Sequence, residues 1–112
     1  MVKKAYIPGR RDVVWVDFNP VRGHEQANVR PALVLSPKTY NQKTGLMIVC
    51  AITAQIKGYP YEVAVHETEI TGVILTDQIR TLDWKERKVK HIVTVSQSII
   101  NEVQENISTL IF

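Results

Sequence analysis

The pattern of apolar and polar positions predicts a run of short strands closed by one helix. DVVWVDF (12–18) alternates, with Val14, Val16 and Phe18 on one side and Val13, Trp15 and Asp17 on the other, as a strand does. A polar loop bounded by Pro and Gly (19–31) follows. PALVLS (31–36) and LMIVCAIT (46–53) are short continuous apolar runs rich in β-branched residues. Separated by the turn-like NQKTG (41–45), they predict two buried strands of a hairpin. After a turn at IKGYP, YEVAV (61–65) and GVILTDQ (72–78) predict strands on either side of a polar loop holding His66, Glu67 and Glu69. HIVTV (91–95) is a weaker strand after the charged segment KERKVK. The last 17 residues change period: Ile99, Ile100, Val103, Ile107, Leu110 and Ile111 recur at helical intervals, with Ser96 placed to cap.

Five to seven short strands in 112 residues predict a mainly β fold, with the sheet curled or closed so that its edges do not invite aggregation. A chain of this length buries about two thirds of its unfolded surface, so one core and one domain, residues 1–112, are expected. With 45% hydrophobic and 22% charged residues, the composition is that of a soluble globular chain. No apolar run approaches the ~20 residues that cross a bilayer, so no membrane partner is expected. MVKKAYIPGRR has the charges of a secretory leader but no apolar stretch after them, which points to the cytoplasm.

The single cysteine, Cys50, lies in LMIVCAI; it excludes an internal disulfide and reads as a small buried hydrophobe rather than a nucleophile. His24, His66 and His91 show no metal-ligand spacing, so neither metal nor other cofactor is expected. The net charge of +3 is unevenly spread. Residues 1–60 carry nine Lys/Arg against three Asp/Glu, and residues 61–112 carry five against eight, giving halves of +6 and −3. A basic half suits a polyanion such as RNA, whose phosphates release counterions to Lys and Arg, although ordinary solvated charge gives the same count.

Within VRGHEQANVRPALVLS (21–36), Arg22, His24, Glu25 and Arg30 precede an apolar strand directly. Pro31 biases Arg30 toward extended backbone, so its guanidinium is expected to project from the first residue of the strand. That planar fork suits a phosphate; a salt bridge to Glu25 or Asp77 is the structural alternative. Thr53 ends a second strand, and Asp77 with Gln78 ends a third. Each of these has an ordinary explanation in strand propensity or turn capping. Three neighbouring strands ending in hydrogen-bonding groups would nevertheless form one polar rim.

Taken together, WVDFNP, GHEQANVRPALVLSP, YNQKTG, the run from Thr53 to Pro60 and GVILTDQIRTLDW resemble the MazF/PemK family of toxin endoribonucleases from bacterial toxin–antitoxin pairs. The resemblance runs in order from about residue 10 to the C-terminus. It implies an SH3-like β-barrel of the CcdB/PemK kind with a C-terminal helix, a homodimer, and metal-independent cleavage of single-stranded RNA. It further implies that Arg30 and Thr53 are the principal catalytic pair and that Glu25 and Lys57 serve RNA binding or cleavage. Asp77 matches an aspartate that some members use in catalysis. His24 falls where one branch of the family has a catalytic acid or base, but that branch has an Arg where this chain has Leu75, so the chain mixes two catalytic sets. The implied partner is an antitoxin whose acidic C-terminal segment covers the Arg30 rim.

Metal-free cleavage must remove the 2′-hydroxyl proton, neutralise the phosphorane and protonate the departing 5′-oxygen, leaving a 2′,3′-cyclic phosphate and a 5′-hydroxyl. Arg30 suits the second task and Thr53 suits positioning, while His24, with Glu25 as alternative base, suits proton transfer. Bases of single-stranded RNA are read along their edges and stacked on aromatics, for which Trp15, Tyr59, Lys57, Asp77 and Gln78 are candidates. A core or interface role fits Trp15 equally well. The rival expectation is a non-enzymatic CcdB-like toxin that binds a protein such as gyrase, or a passive RNA-binding barrel; fold alone does not separate these.

Overall fold

The structure, a computed structural model, describes residues 5–18 and 28–112. Six strands make one antiparallel sheet: β1 (Asp12–Asp17), β2 (Val29–Val34), β3 (Leu46–Thr53), β4 (Glu62–His66), β5 (Thr71–Asp83) and β6 (Lys90–Thr94). Among the described residues two helices accompany them, α1 (Lys38–Thr44) and α2 (Gln97–Ile111). The strand order is β4-β5-β3-β2-β1-β6, a sheet curled into a half-barrel with β4 and β6 as its end strands. Neither helix is long and apolar enough to cross a membrane.

Where one core was expected, the sheet carries apolar clusters on both faces. One gathers Val13, Leu33, Cys50, Ile52, Val63 and Ile74 with Ile100 and Val103 of α2. The other gathers Val14, Val16, Phe18, Ala32, Val34, Met47, Val49 and Leu82. The alternation of β1 explains the division, since Val13 faces one way and Val14, Val16 and Phe18 the other. The continuous runs of β2 and β3 are likewise apolar because both of their faces are covered.

Ser96 caps α2 as its sequence predicts, its hydroxyl accepting the Ile99 N–H at 3.3 Å. Ile100 and Val103 are fully buried, each adding roughly 1.5–3 kcal/mol of apolar burial. The helical period overreaches at the last turn, where Leu110 and Ile111 are exposed. At the other end of the chain, the Asp12 carboxylate ties the N-terminal segment down by accepting from the Tyr6 and Thr94 hydroxyls and the Gly9 N–H.

The connection between β2 and β3 differs from the expected turn. NQKTG forms the second half of α1 and its cap, with Gly45 in the left-handed conformation at φ 73°. Asn41 accounts for the difference. Its fully buried side chain accepts from the Ser36 hydroxyl at 2.6 Å and donates to the carbonyls of Pro8 and Ser36 at 2.8 and 3.1 Å. Its own carbonyl accepts from the Trp84 indole at 2.8 Å. Ser36 in turn accepts the Ile48 N–H at 2.8 Å, carrying the β2–β3 ladder past the end of β2. Tertiary hydrogen bonds thus outweigh the weak helix propensity of Asn, Thr and Gly.

Asn41→Ala would orphan the Ser36 hydroxyl and two buried carbonyls, each such loss costing about 1–3 kcal/mol. The expected result is destabilisation by about 3 kcal/mol or more in urea unfolding; a change below about 1 kcal/mol would show that this hub is not what holds α1.

Candidate functional site

Strand β2 begins two residues before Pro31, because β1 is long enough to pair Asp17 with Val29 and Val16 with Arg30. Arg30 is therefore the second residue of the strand and not its first. The β2–β3 register pairs Ala32 with Ala51. The ladder ends there, and extending its register by two residues brings Arg30 toward Thr53 on the same face, where both line the same hollows. Among the described residues the Arg30 Nε donates to the Asn28 amide oxygen at 2.9 Å, and no ion pair joins Arg30 to Asp77. Held at Nε, the guanidinium has terminal nitrogens that no described residue engages and that can donate to a ligand.

Thr53 is oriented too. Its hydroxyl oxygen accepts the Gln55 N–H at 3.1 Å, so its proton is available for donation elsewhere. The segment after Thr53 is shaped by Glu62, whose carboxylate accepts the N–H groups of Lys57 and Gly58 at 3.1 and 2.9 Å. Gly58 has φ 81°, where a side chain is strained, and the turn delivers Lys57 and Tyr59 to the Thr53 side.

Asp77 and Gln78 were expected at the end of a strand. They lie in the middle of β5, at a break in its register. Ile52 pairs with Ile74, whereas Cys50 pairs with Ile79, so four residues of β5 face only Ala51 on β3. Thr76 fixes the bulge from inside: fully buried, it donates both its N–H (3.1 Å) and its hydroxyl (2.6 Å) to the Tyr61 carbonyl. Asp77 and Gln78 are left exposed on the outer side. Bulges re-aim side chains in this manner beside functional sites.

The outcome is one hollow of about 230 Å³ lined by Arg30, Thr53, Lys57, Tyr59, Asp77 and Gln78. A second, of about 420 Å³, adjoins it across Arg30 and Thr53 and includes Trp15, which is 40% exposed rather than in the core. A third, of about 220 Å³, lies between Arg30 and Arg80 over Phe18. Arg30 lines all three. Of the candidates read from the sequence, seven thus converge here, while His24 and Glu25 lie outside the described residues.

Beneath the site, burial pushes the Cys50 thiol up to about 12, with the nearby Asp77 charge adding to the effect, as fits an inert core thiol. Among the described residues no three of His, Cys, Asp and Glu converge to hold a metal ion. Glu62, Thr76 and Arg80 escaped the sequence reading. Glu62 acts through a side-chain clasp on the turn just before it, Thr76 through a contact fifteen residues away, and Arg80 lies beyond the end expected for its strand.

Comparison with known proteins agrees with this geometry. The pattern of the family described as PemK-like, MazF-like toxin of type II toxin-antitoxin system matches residues 9–111. The endoribonuclease toxin MazF of Escherichia coli (strain K12) is 42% identical over 106 residues, which are 95% of this chain and 96% of that protein. A crystal structure of MazF from Deinococcus radiodurans is similar with a TM-score of 0.84 at 41% identity, over 95% of this chain and 97% of that one. The MazE-MazF structure from the same organism also reaches 0.84, at 36% identity, over 95% and 96% of the two chains.

Gly72 on β5 packs directly beneath the site, where an added Cβ would collide with the Thr53 carbonyl. Gly72→Ala is expected to cost about 1–3 kcal/mol through overpacking, read as a lowered thermal midpoint. An unchanged midpoint would mean that β5 does not approach Thr53 this closely.

Proposed function

The chain belongs to the PemK-like, MazF-like toxin family of type II toxin–antitoxin systems, and from that premise we propose that it is an endoribonuclease, acting as a cytoplasmic homodimer that cuts single-stranded RNA without a metal ion. The observation that carries the reading is that Arg30 and Thr53 line one hollow together with Lys57 and Asp77.

In this mechanism the RNA 2′-hydroxyl attacks the adjacent phosphorus while the 5′-oxygen leaves, giving a 2′,3′-cyclic phosphate and a 5′-hydroxyl. Two negative charges develop on the phosphorane oxygens. Arg30, tethered at Nε, offers donors where that charge forms, and such preorganised donors favour the transition state over the ground state. The Thr53 hydroxyl donates to a non-bridging oxygen and holds the phosphate for in-line attack. Lys57 adds sequence-independent attraction for the backbone. His24 takes the acid–base role, with Glu25 the alternative base, because an imidazole titrates near neutrality. Asp77, Gln78, Tyr59 and Trp15 line the path of the neighbouring nucleotides.

The deciding experiment incubates the wild type and Arg30→Ala with unstructured RNA in EDTA and maps the ends. The expected wild-type products carry 2′,3′-cyclic phosphate and 5′-hydroxyl termini, and the variant, still folded, is expected to cut at least about 100-fold more slowly. Wild-type cutting by Arg30→Ala would move the site elsewhere, and a 3′-hydroxyl product would require an external nucleophile.

The basic half of the chain also supports an antitoxin whose acidic segment folds across the Arg30 rim, its carboxylates taking the places of RNA phosphates. An uncleavable RNA is expected to displace the labelled antitoxin, with both associations weakening as salt rises. Binding of both at unchanged affinity would assign them separate faces.

A further inference from the structure

The third hollow contains a cation that the proposed chemistry does not use. The Arg80 guanidinium lies over the Phe18 ring, 5.2 Å from its centroid. Phe18 is itself held firmly. It is buried, its N–H donates to the Asn28 carbonyl at 3.0 Å, and its carbonyl accepts from Arg87 Nη1 at 2.7 Å. Arg80 therefore rests on a fixed aromatic support, and among the described residues no carboxylate pairs with it. Its outer side is open to solvent. Gln78, two residues back on β5, shares the hollow with Arg80 and Arg30.

We propose that Arg80 is a stacking platform for one unpaired base of the RNA, a specificity-determining residue that seats the base in the Arg30–Arg80 hollow while the Gln78 amide reads its edge. The inference rests on the endoribonuclease reading of the neighbouring hollow. Three features favour a base over a phosphate at Arg80. The guanidinium is planar and delocalised, and such planes stack on RNA bases. Its position over Phe18 reduces the freedom that would be lost on stacking. The adjacent amide offers both a donor and acceptor, which suits a base edge and is only half used by a phosphate.

The test measures binding of a 2′-O-methylated, hence uncleavable, oligonucleotide by wild type, Arg80→Lys and Arg80→Ala, over a range of salt. A series of oligonucleotides with single abasic positions is included, and native RNA cleavage by the wild type serves as control. Arg80 is exposed and its one described support is Phe18, so both variants are expected to stay folded with at most a small fall in melting temperature. Both variants are expected to lose about 10-fold in affinity. Arg80→Lys should keep the wild-type salt dependence, whereas Arg80→Ala should lose the share of about one phosphate contact. At one position, removing the base should weaken the wild type about 10-fold and leave Arg80→Ala unaffected.

Full rescue by Arg80→Lys, or abasic losses that add to Arg80→Ala at every position, would overturn the platform and make Arg80 a simple phosphate contact. Those outcomes together with wild-type cleavage leave the endoribonuclease reading standing. A wild type that neither cuts nor binds RNA would overturn both.

Discussion

The site depends on a mismatch in strand length. Between the Cys50–Ile79 and Ile52–Ile74 pairs, β3 supplies one residue and β5 supplies four. A ladder in regular register would turn alternate residues of this stretch inward and cover the ends of β2 and β3. Instead Asp77 and Gln78 turn outward, and Thr76 closes the inner side by giving both of its protons to one carbonyl. Because a buried, unpaired backbone or hydroxyl group costs about 1–3 kcal/mol, the bulge persists only with that closure. Arg30, Thr53, Asp77 and Gln78 share a hollow because the sheet cannot continue straight at this point.

Charge in the hollow is arranged by the same logic. Acidic side chains stand among the cations, yet Glu62 is engaged by two backbone N–H groups and shapes the turn that presents Lys57. Among the described residues Arg30 has a neutral partner, the Asn28 amide, and no carboxylate. A carboxylate there would satisfy the guanidinium before any phosphate arrived, and displacing it would cost part of the binding energy. A neutral tether fixes the geometry and leaves the charge to be used.

The sequence made some of this legible because it obeys local rules. The nearness of Arg30 to Thr53 follows once β2 and β3 are antiparallel neighbours, and Ser96 announces the start of α2 through its capping chemistry. What escaped was set by contacts distant along the chain. Asn41 looks like a turn former until its side chain is seen holding Pro8 and Ser36. Thr76 is one more residue of an apolar strand until it meets Tyr61. The single expected core became two because alternation in β1 places Val13 and Val14 on opposite faces, and length alone does not say whether both will be covered.

Cys50 sits on β3 at the register break, fully buried and with its thiolate disfavoured. It has a practical meaning apart from catalysis. A thiol reagent reaches it when α2 lifts from this face of the sheet or β3 and β5 separate, and only the small deprotonated fraction then reacts. The rate at which the folded protein takes up such a reagent is therefore a clock on how often the wall behind the hollow comes apart, kept by an atom that an incoming ligand does not touch.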